Sequence, residues 1–68
     1  MIYKVFFWTE LDHRAIEKVR NSLGTIVEEI DRKDGIVFST KQKHIRDELL
    51  RLRMVFREEA KSANKSRA

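Results

Sequence analysis

The chain has 68 residues, no cysteine and no proline, and 38 % of it is Asp, Glu, Lys or Arg. That length makes one domain with a thin stability margin, because so short a chain buries only about 60 % of the surface it exposes unfolded; without cysteine, disulfides and thiolate metal sites are excluded. The net charge of +4 is unevenly placed, with six Lys/Arg against seven Asp/Glu in residues 1–40 and nine against four in residues 41–68, so the basic character belongs to the C-terminal part and points to nucleic acid or an acidic partner.

Ile2–Trp8 ("IYKVFFW") is rich in β-branched and aromatic residues and reads as a strand. Lys4 interrupts it, no small-residue cleavage site follows, and the run is too short to span a bilayer. The expectation is a cytoplasmic chain with no membrane association. The Lys, Arg and Glu excess with no Cys suits a thermophile.

Thr9 can cap a helix, with Asp12 three residues on completing the box. That helix is expected over Glu10–Leu23, with Ala15, Ile16, Val19 and Leu23 as its buried stripe. Gly24 then stands where a left-handed terminating residue is wanted. Thr25–Asp31 reads as a second strand with Ile26 and Ile30 on one face. Asp34-Gly35 signals a hairpin into a third strand, Ile36–Thr40. A three-residue loop, Lys33 to Gly35, places Ile30 opposite Phe38 and gives Gly35 the positive φ. A second helix starts near Ser39–Lys41 and reaches about Ala60. The domain is therefore 1–61, and residues 62–68 are expected to form a disordered basic tail.

The order β-α-β-β-α predicts an α+β fold, a three-stranded antiparallel sheet with both helices on one face and the first strand beside the third.

Two surfaces are unsuited to a monomer. Tyr3, Val5 and Phe7 occupy one face of the first strand, but Ile2, Phe6 and Trp8 occupy the other, with Lys4 the single polar residue among them. A half-exposed strand alternates apolar and polar. The second apolar face needs cover, which places Ile2, Lys4, Phe6 and Trp8 at a dimer interface. On the second helix, Ile45, Leu49, Leu52 and Phe56 form a core stripe at helical spacing. Leu50 and Met54 fall on nearly the opposite side, with Arg46, Arg53 and Arg57 between the two sets and Lys61 at the flank. Arg53 and Arg57 are spaced for mutual repulsion. This strip of Arg46, Leu50, Arg53, Met54, Arg57 and Lys61 is expected to dock a partner protein or to meet an external anion or carboxylate.

Catalytic signatures are absent from the sequence. His13 and His44 are isolated. Glu28 and Glu29 are adjacent on a strand and point to opposite faces, so they cannot act as a carboxylate pair. Thr9, Ser22, Ser39 and Thr40 have no visible base. Gly24 and Gly35 are single turn glycines, not a phosphate loop. The expectation is a protein that is not an enzyme and needs no metal or cofactor.

The stretch "DGIVFST" followed by "HIRDELLRLR", closing a β-α-β-β-α domain of this size, resembles the smallest subunit of the KEOPS complex. That family follows its hairpin with a helix that opens on a Leu-Arg pair and continues with spaced leucines; Ile45-Arg46, Leu49 and Leu52 take those places here. The family tends to have small or polar residues mid-helix, where this chain has Leu50-Arg51, and the chain is shorter than most members. This departure suggests a divergent paralogue, a fifth subunit beside the usual small one.

The resemblance implies a non-catalytic dimerisation or accessory subunit of a complex that transfers a threonylcarbamoyl group to an adenosine of ANN-decoding tRNAs. ATP and metal belong to other subunits of that complex. The implied partners are a second copy or a paralogous small subunit, and other KEOPS subunits; the strip of Arg46, Leu50, Arg53, Met54, Arg57 and Lys61 would then meet a partner protein or help to hold tRNA. Two other classes stand beside it: a free-standing basic nucleic-acid binder, whose affinity falls steeply with salt, and a protein-binding regulator.

Overall fold

The computed structural model describes residues 1–67, with side chains placed through Glu59. Its elements are β1 (Tyr3–Trp8), α1 (His13–Leu23), β2 (Glu28–Asp31), β3 (Gly35–Thr40) and α2 (Lys43–Arg67). The three strands form one antiparallel sheet in the order β1-β3-β2, as the element order predicts. Among the described residues no helix is long and apolar enough to cross a membrane.

Strand register decides which residues meet the helices. Val5 stands opposite Phe38, and Phe7 opposite Ile36. These four join Ala15, Ile16 and Val19 of α1 and Leu49 and Leu52 of α2 in one core cluster. The Phe7 and Phe38 rings meet edge-on, with centroids 5.2 Å apart, a geometry worth about 0.5–1.5 kcal/mol beyond the area buried. Because side chains alternate along a strand, Lys4, Phe6 and Trp8 of β1 and Val37 and Ser39 of β3 project from the other face. The buried stripes of both helices follow the sequence periodicity, and Phe56 packs on the cluster from a half-buried position.

Several local expectations are corrected. Arg32 and Gly35 exchange main-chain hydrogen bonds of 2.8 and 3.4 Å, so the turn is Lys33–Asp34 and Gly35 belongs to β3. Ile30 therefore faces Val37, and Glu29 faces Phe38. A slip of one residue changes the face of every side chain on the strand: Ile30 lies on the open side, and Glu29 on the helix side. Among the described residues no glycine has positive φ. Gly35 is required for a different reason, since a Cβ there would run into the Phe7 carbonyl oxygen and the Phe6 ring. Gly24 is right-handed, at φ −57° and ψ −27°. The chain leaves α1 through a turn in which Leu23 O accepts from Ile26 N at 2.9 Å and Val27 N at 3.2 Å. That turn uses residues expected in β2, which shortens the strand and leaves Ile26 exposed.

α1 begins at His13, with Asp12 at its N-cap position and no side-chain capping bond. α2 begins later than expected, because the Thr40 hydroxyl accepts from Gln42 N at 3.1 Å and holds the chain in a turn. Helical backbone continues to Arg67, past the end near Ala60 that periodicity predicts. The contact expected of Lys61, and the disordered tail expected over 62–68, lie outside the residues whose side chains are described.

Candidate interaction surfaces

The first candidate surface is the sheet face turned away from the helices. Register lays it out as rows across the sheet: Lys4, Ser39 and Glu28, then Phe6, Val37 and Ile30, then Trp8 beside Gly35. Trp8 is 48 % exposed, and its ring meets that of Phe6 edge-on at 5.4 Å. Ile2, just before β1, is 56 % exposed. None of Ile2, Phe6, Trp8, Ile30 or Val37 belongs to the helix-side core cluster; Phe6 and Ile30 are half-buried on the open face, and Val37, between them, is buried. The structure thus brings Ile2, Lys4, Phe6 and Trp8 to one surface, with Ile30 and Val37 added to it. Those two were missed because the hairpin register cannot be read without knowing that Gly35 is a strand residue.

The second candidate surface is the arginine strip of α2, whose guanidinium groups have partners within the domain. Arg57 donates from Nε to Asp12 Oδ1 at 2.7 Å and from Nη2 to Asp12 Oδ2 at 2.8 Å. Arg53 donates to the Phe6 carbonyl at 2.7 Å and lies 5.9 Å from the centre of the Phe7 ring. Arg46 donates to Asp47 at 2.9 Å and sits 5.0 Å over the Tyr3 ring. Arg57 thus reaches the start of α1, Arg53 reaches β1, and Arg46 reaches β1 and along its own helix. Leu50 is likewise half-buried and packs on the core, so it is not the outward residue that its helical angle implies. Met54 stays 61 % exposed, and Val55 is exposed beside it.

Asp12 organises this side of the molecule. It is 1 % exposed. Its carboxylate accepts from Trp8 N at 2.9 Å as well as from Arg57, and its own N–H donates to Trp8 O at 2.8 Å. Burial pushes its pKa up. The Arg57 hydrogen bonds, the Trp8 amide and the charges of Arg57 and Arg53 outweigh that, and the net result lies below the ordinary carboxylate value. The pairing raises the Arg57 pKa in turn. Sequence reasoning placed Asp12 in a capping box instead. The available signal was Arg57 itself, which has no acid three or four residues away on its own helix.

On the opposite side, Arg20 of α1 holds Glu29 through two bonds of 2.9 and 2.7 Å, raising the arginine pKa and lowering that of the carboxylate. Glu28 projects from the other face of β2, so the two glutamates are separated as their adjacency predicts. Both histidines are exposed. Among the described residues no three of His, Asp or Glu are grouped to hold a metal ion. Comparison of the chain with protein-family models, with curated proteins and with solved structures finds no match.

Proposed function

We propose that this chain is a non-catalytic interaction subunit, dimerising with itself or with a paralogous small subunit, within a KEOPS-like complex that modifies tRNA with threonylcarbamoyladenosine. The observation that carries the interaction part is the apolar sheet face turned away from the helices, on which Ile2 and Trp8 are exposed and Phe6 and Ile30 half-buried around the buried Val37. Contiguous apolar surface that no element of the same domain covers marks an association site. The rows on this face complement themselves. A twofold axis along β3, between two stacked sheets, lays Phe6 over Ile30 of the second copy and Lys4 against Glu28 of the second copy. Val37 then meets its own equivalent. Aligned sheets pack in this way about 10 Å apart. The tRNA-modification part is supported by the resemblance of the hairpin and of Ile45-Arg46, Leu49 and Leu52 to the smallest KEOPS subunit.

Reconstitution tests this reading. Purified chain, mixed with the catalytic, kinase-like and small subunits of such a complex, is expected to co-elute with them at a defined mass by light scattering. Separate elution, with the complex fully assembled without it, contradicts the reading.

One observation favours a second reading, a free-standing nucleic-acid binder. The exposed Trp8 and half-buried Phe6 form an aromatic pair on an open sheet beside Lys4, and bases stack on such rings. Against it, the central strand offers Gly35, Val37 and Ser39 to that face and no ring. Binding to single-stranded RNA that falls steeply with salt and is lost in Trp8→Ala would favour this alternative.

A further inference from the structure

A groove of about 360 Å³ runs between the outer edge of β1 and α2, walled by Tyr3, Lys4 and Phe6 on one side and Arg46, Leu50 and Arg53 on the other. Its strand edge is closed at one end only. Trp8 gives both main-chain groups to Asp12, and the Phe6 carbonyl is taken by Arg53. Residues with outward main-chain groups alternate with those paired to β3, so Lys4 presents its N–H and C=O to the groove and Phe6 its N–H. Folded proteins ordinarily block such edges. Here the block stops at Phe6.

The helix wall is cationic. Lys4, whose side chain lies on the open face of the sheet beside the groove, has no hydrogen-bonding or ion-pair partner among the described residues. Arg46 spends one N–H on Asp47, and Arg53 one on Phe6, leaving most of the five donors of each guanidinium unused. Among the described residues no Asp or Glu lines the groove. Leu50, half-buried between the two arginines along α2, supplies an apolar floor.

We infer that this groove takes an extended acidic segment of a partner protein, added as a strand to β1. The main chain of the segment pairs with Lys4 and Phe6 and ends where Asp12 closes the edge. Alternate side chains of an added strand face α2. An acidic residue then meets Arg46, an apolar one two positions on meets Leu50, and an acidic one two further on meets Arg53. Arg46 and Arg53 lie about 10 Å apart along the helix axis, within the span that flexible guanidinium side chains bridge. A second copy offering its own β1 is a poor occupant, because Lys4, Arg46 and Arg53 of both copies would then face one another. The inference rests on the reading of the chain as an interaction subunit and adds the chemistry of one partner.

The test uses the full chain, labelled for amide NMR, and the blocked peptide acetyl-Glu-Thr-Val-Thr-Glu-amide. Titration is expected to shift the amides of Lys4 and Phe6 and the side-chain signals of Arg46 and Arg53. Affinity should fall by at least about tenfold when glutamine replaces glutamate, when alternate peptide nitrogens are methylated, and in Arg46→Gln. Equal binding of the glutamine peptide removes the charge recognition, and equal binding of the methylated one removes strand addition; either overturns the inference. So do shifts confined to the open sheet face, displacement of the peptide by an equimolar uridine hexanucleotide, or no binding at millimolar peptide. If the peptide fails while the chain still co-elutes with other subunits, only the groove assignment falls. Failure of co-elution overturns the broader reading.

Discussion

Arg57, near the end of the described side chains of α2, grips the buried carboxylate of Asp12 with two hydrogen bonds, and Asp12 in turn holds both main-chain groups of Trp8. One ion pair thus fixes three elements to one another: the end of β1, the start of α1 and the second half of α2. It also closes the last part of the β1 edge, which leaves the groove beside Lys4 with a defined end.

Removing Arg57 strands a buried charge. Arg57→Ala is expected to destabilise the domain by about 3 kcal/mol, a large share of the total for a chain of this size. Arg57→Lys keeps the charge but loses the paired geometry and should fall between. Urea unfolding followed by circular dichroism measures both. Wild-type stability in Arg57→Ala would mean that Asp12 has no need of this partner.

Acid should release the same contact. The Asp12 pKa is depressed in the folded chain, so the unfolded state binds the proton more readily. Its contribution is then fully present above the unfolded aspartate value of about 3.9, and is lost as pH falls below that value and through the lower folded pKa. In Asp12→Asn this part of the acid-induced loss should disappear, although the variant is less stable at neutral pH. Unfolding curves for both proteins between pH 2 and pH 6 provide the check.

Gly35 should tolerate no side chain. A Cβ at that position would meet the Phe7 carbonyl oxygen where β3 begins beside β1, and paired strand backbone cannot easily move. Gly35→Ala is expected to cost about 1–3 kcal/mol, as overpacked sites do. A melting temperature equal to that of the parent would show that β1 and β3 are not so close there.

Leu50 and Met54 are one turn apart on α2 and should behave differently. Leu50 packs on the core from a half-buried position, whereas Met54 is 61 % exposed. Leu50→Glu is expected to destabilise by about 1–3 kcal/mol, and Met54→Glu to stay within about 0.5 kcal/mol of the parent. Equal melting temperatures would place Leu50 on the free surface after all.

Helix phase was legible in the sequence because 3.6-residue periodicity is a local property: Ala15, Ile16 and Val19, and Ile45, Leu49 and Leu52, are buried as that period requires. The doubly apolar character of β1 was legible for the same reason. What could not be read depends on contacts distant in sequence. Asp12 resembles a capping residue until α2 brings Arg57 beside it, 45 positions later. The strip of Arg46, Arg53 and Arg57 resembles free positive charge until β1 supplies the Tyr3 ring and the Phe6 carbonyl. The hairpin register turned on Gly35, whose absent side chain makes room for β1 rather than permitting a left-handed turn. Leu50 shows the limit of a helical wheel, since a sheet edge can cover residues well away from the centre of the buried stripe.

The central claim is that the open sheet face serves assembly with other proteins of a tRNA-modifying complex. Its most direct test is affinity capture from the native organism at moderate salt with nuclease present, using the wild-type chain and Trp8→Glu in parallel. Trp8→Glu changes a half-exposed residue outside the core. The account predicts that wild type recovers the kinase-like and catalytic KEOPS subunits together with a small partner, and that Trp8→Glu loses the small partner. Recovery of RNA or DNA without nuclease, and of none of these proteins with it, would contradict the account and favour the free-standing nucleic-acid binder.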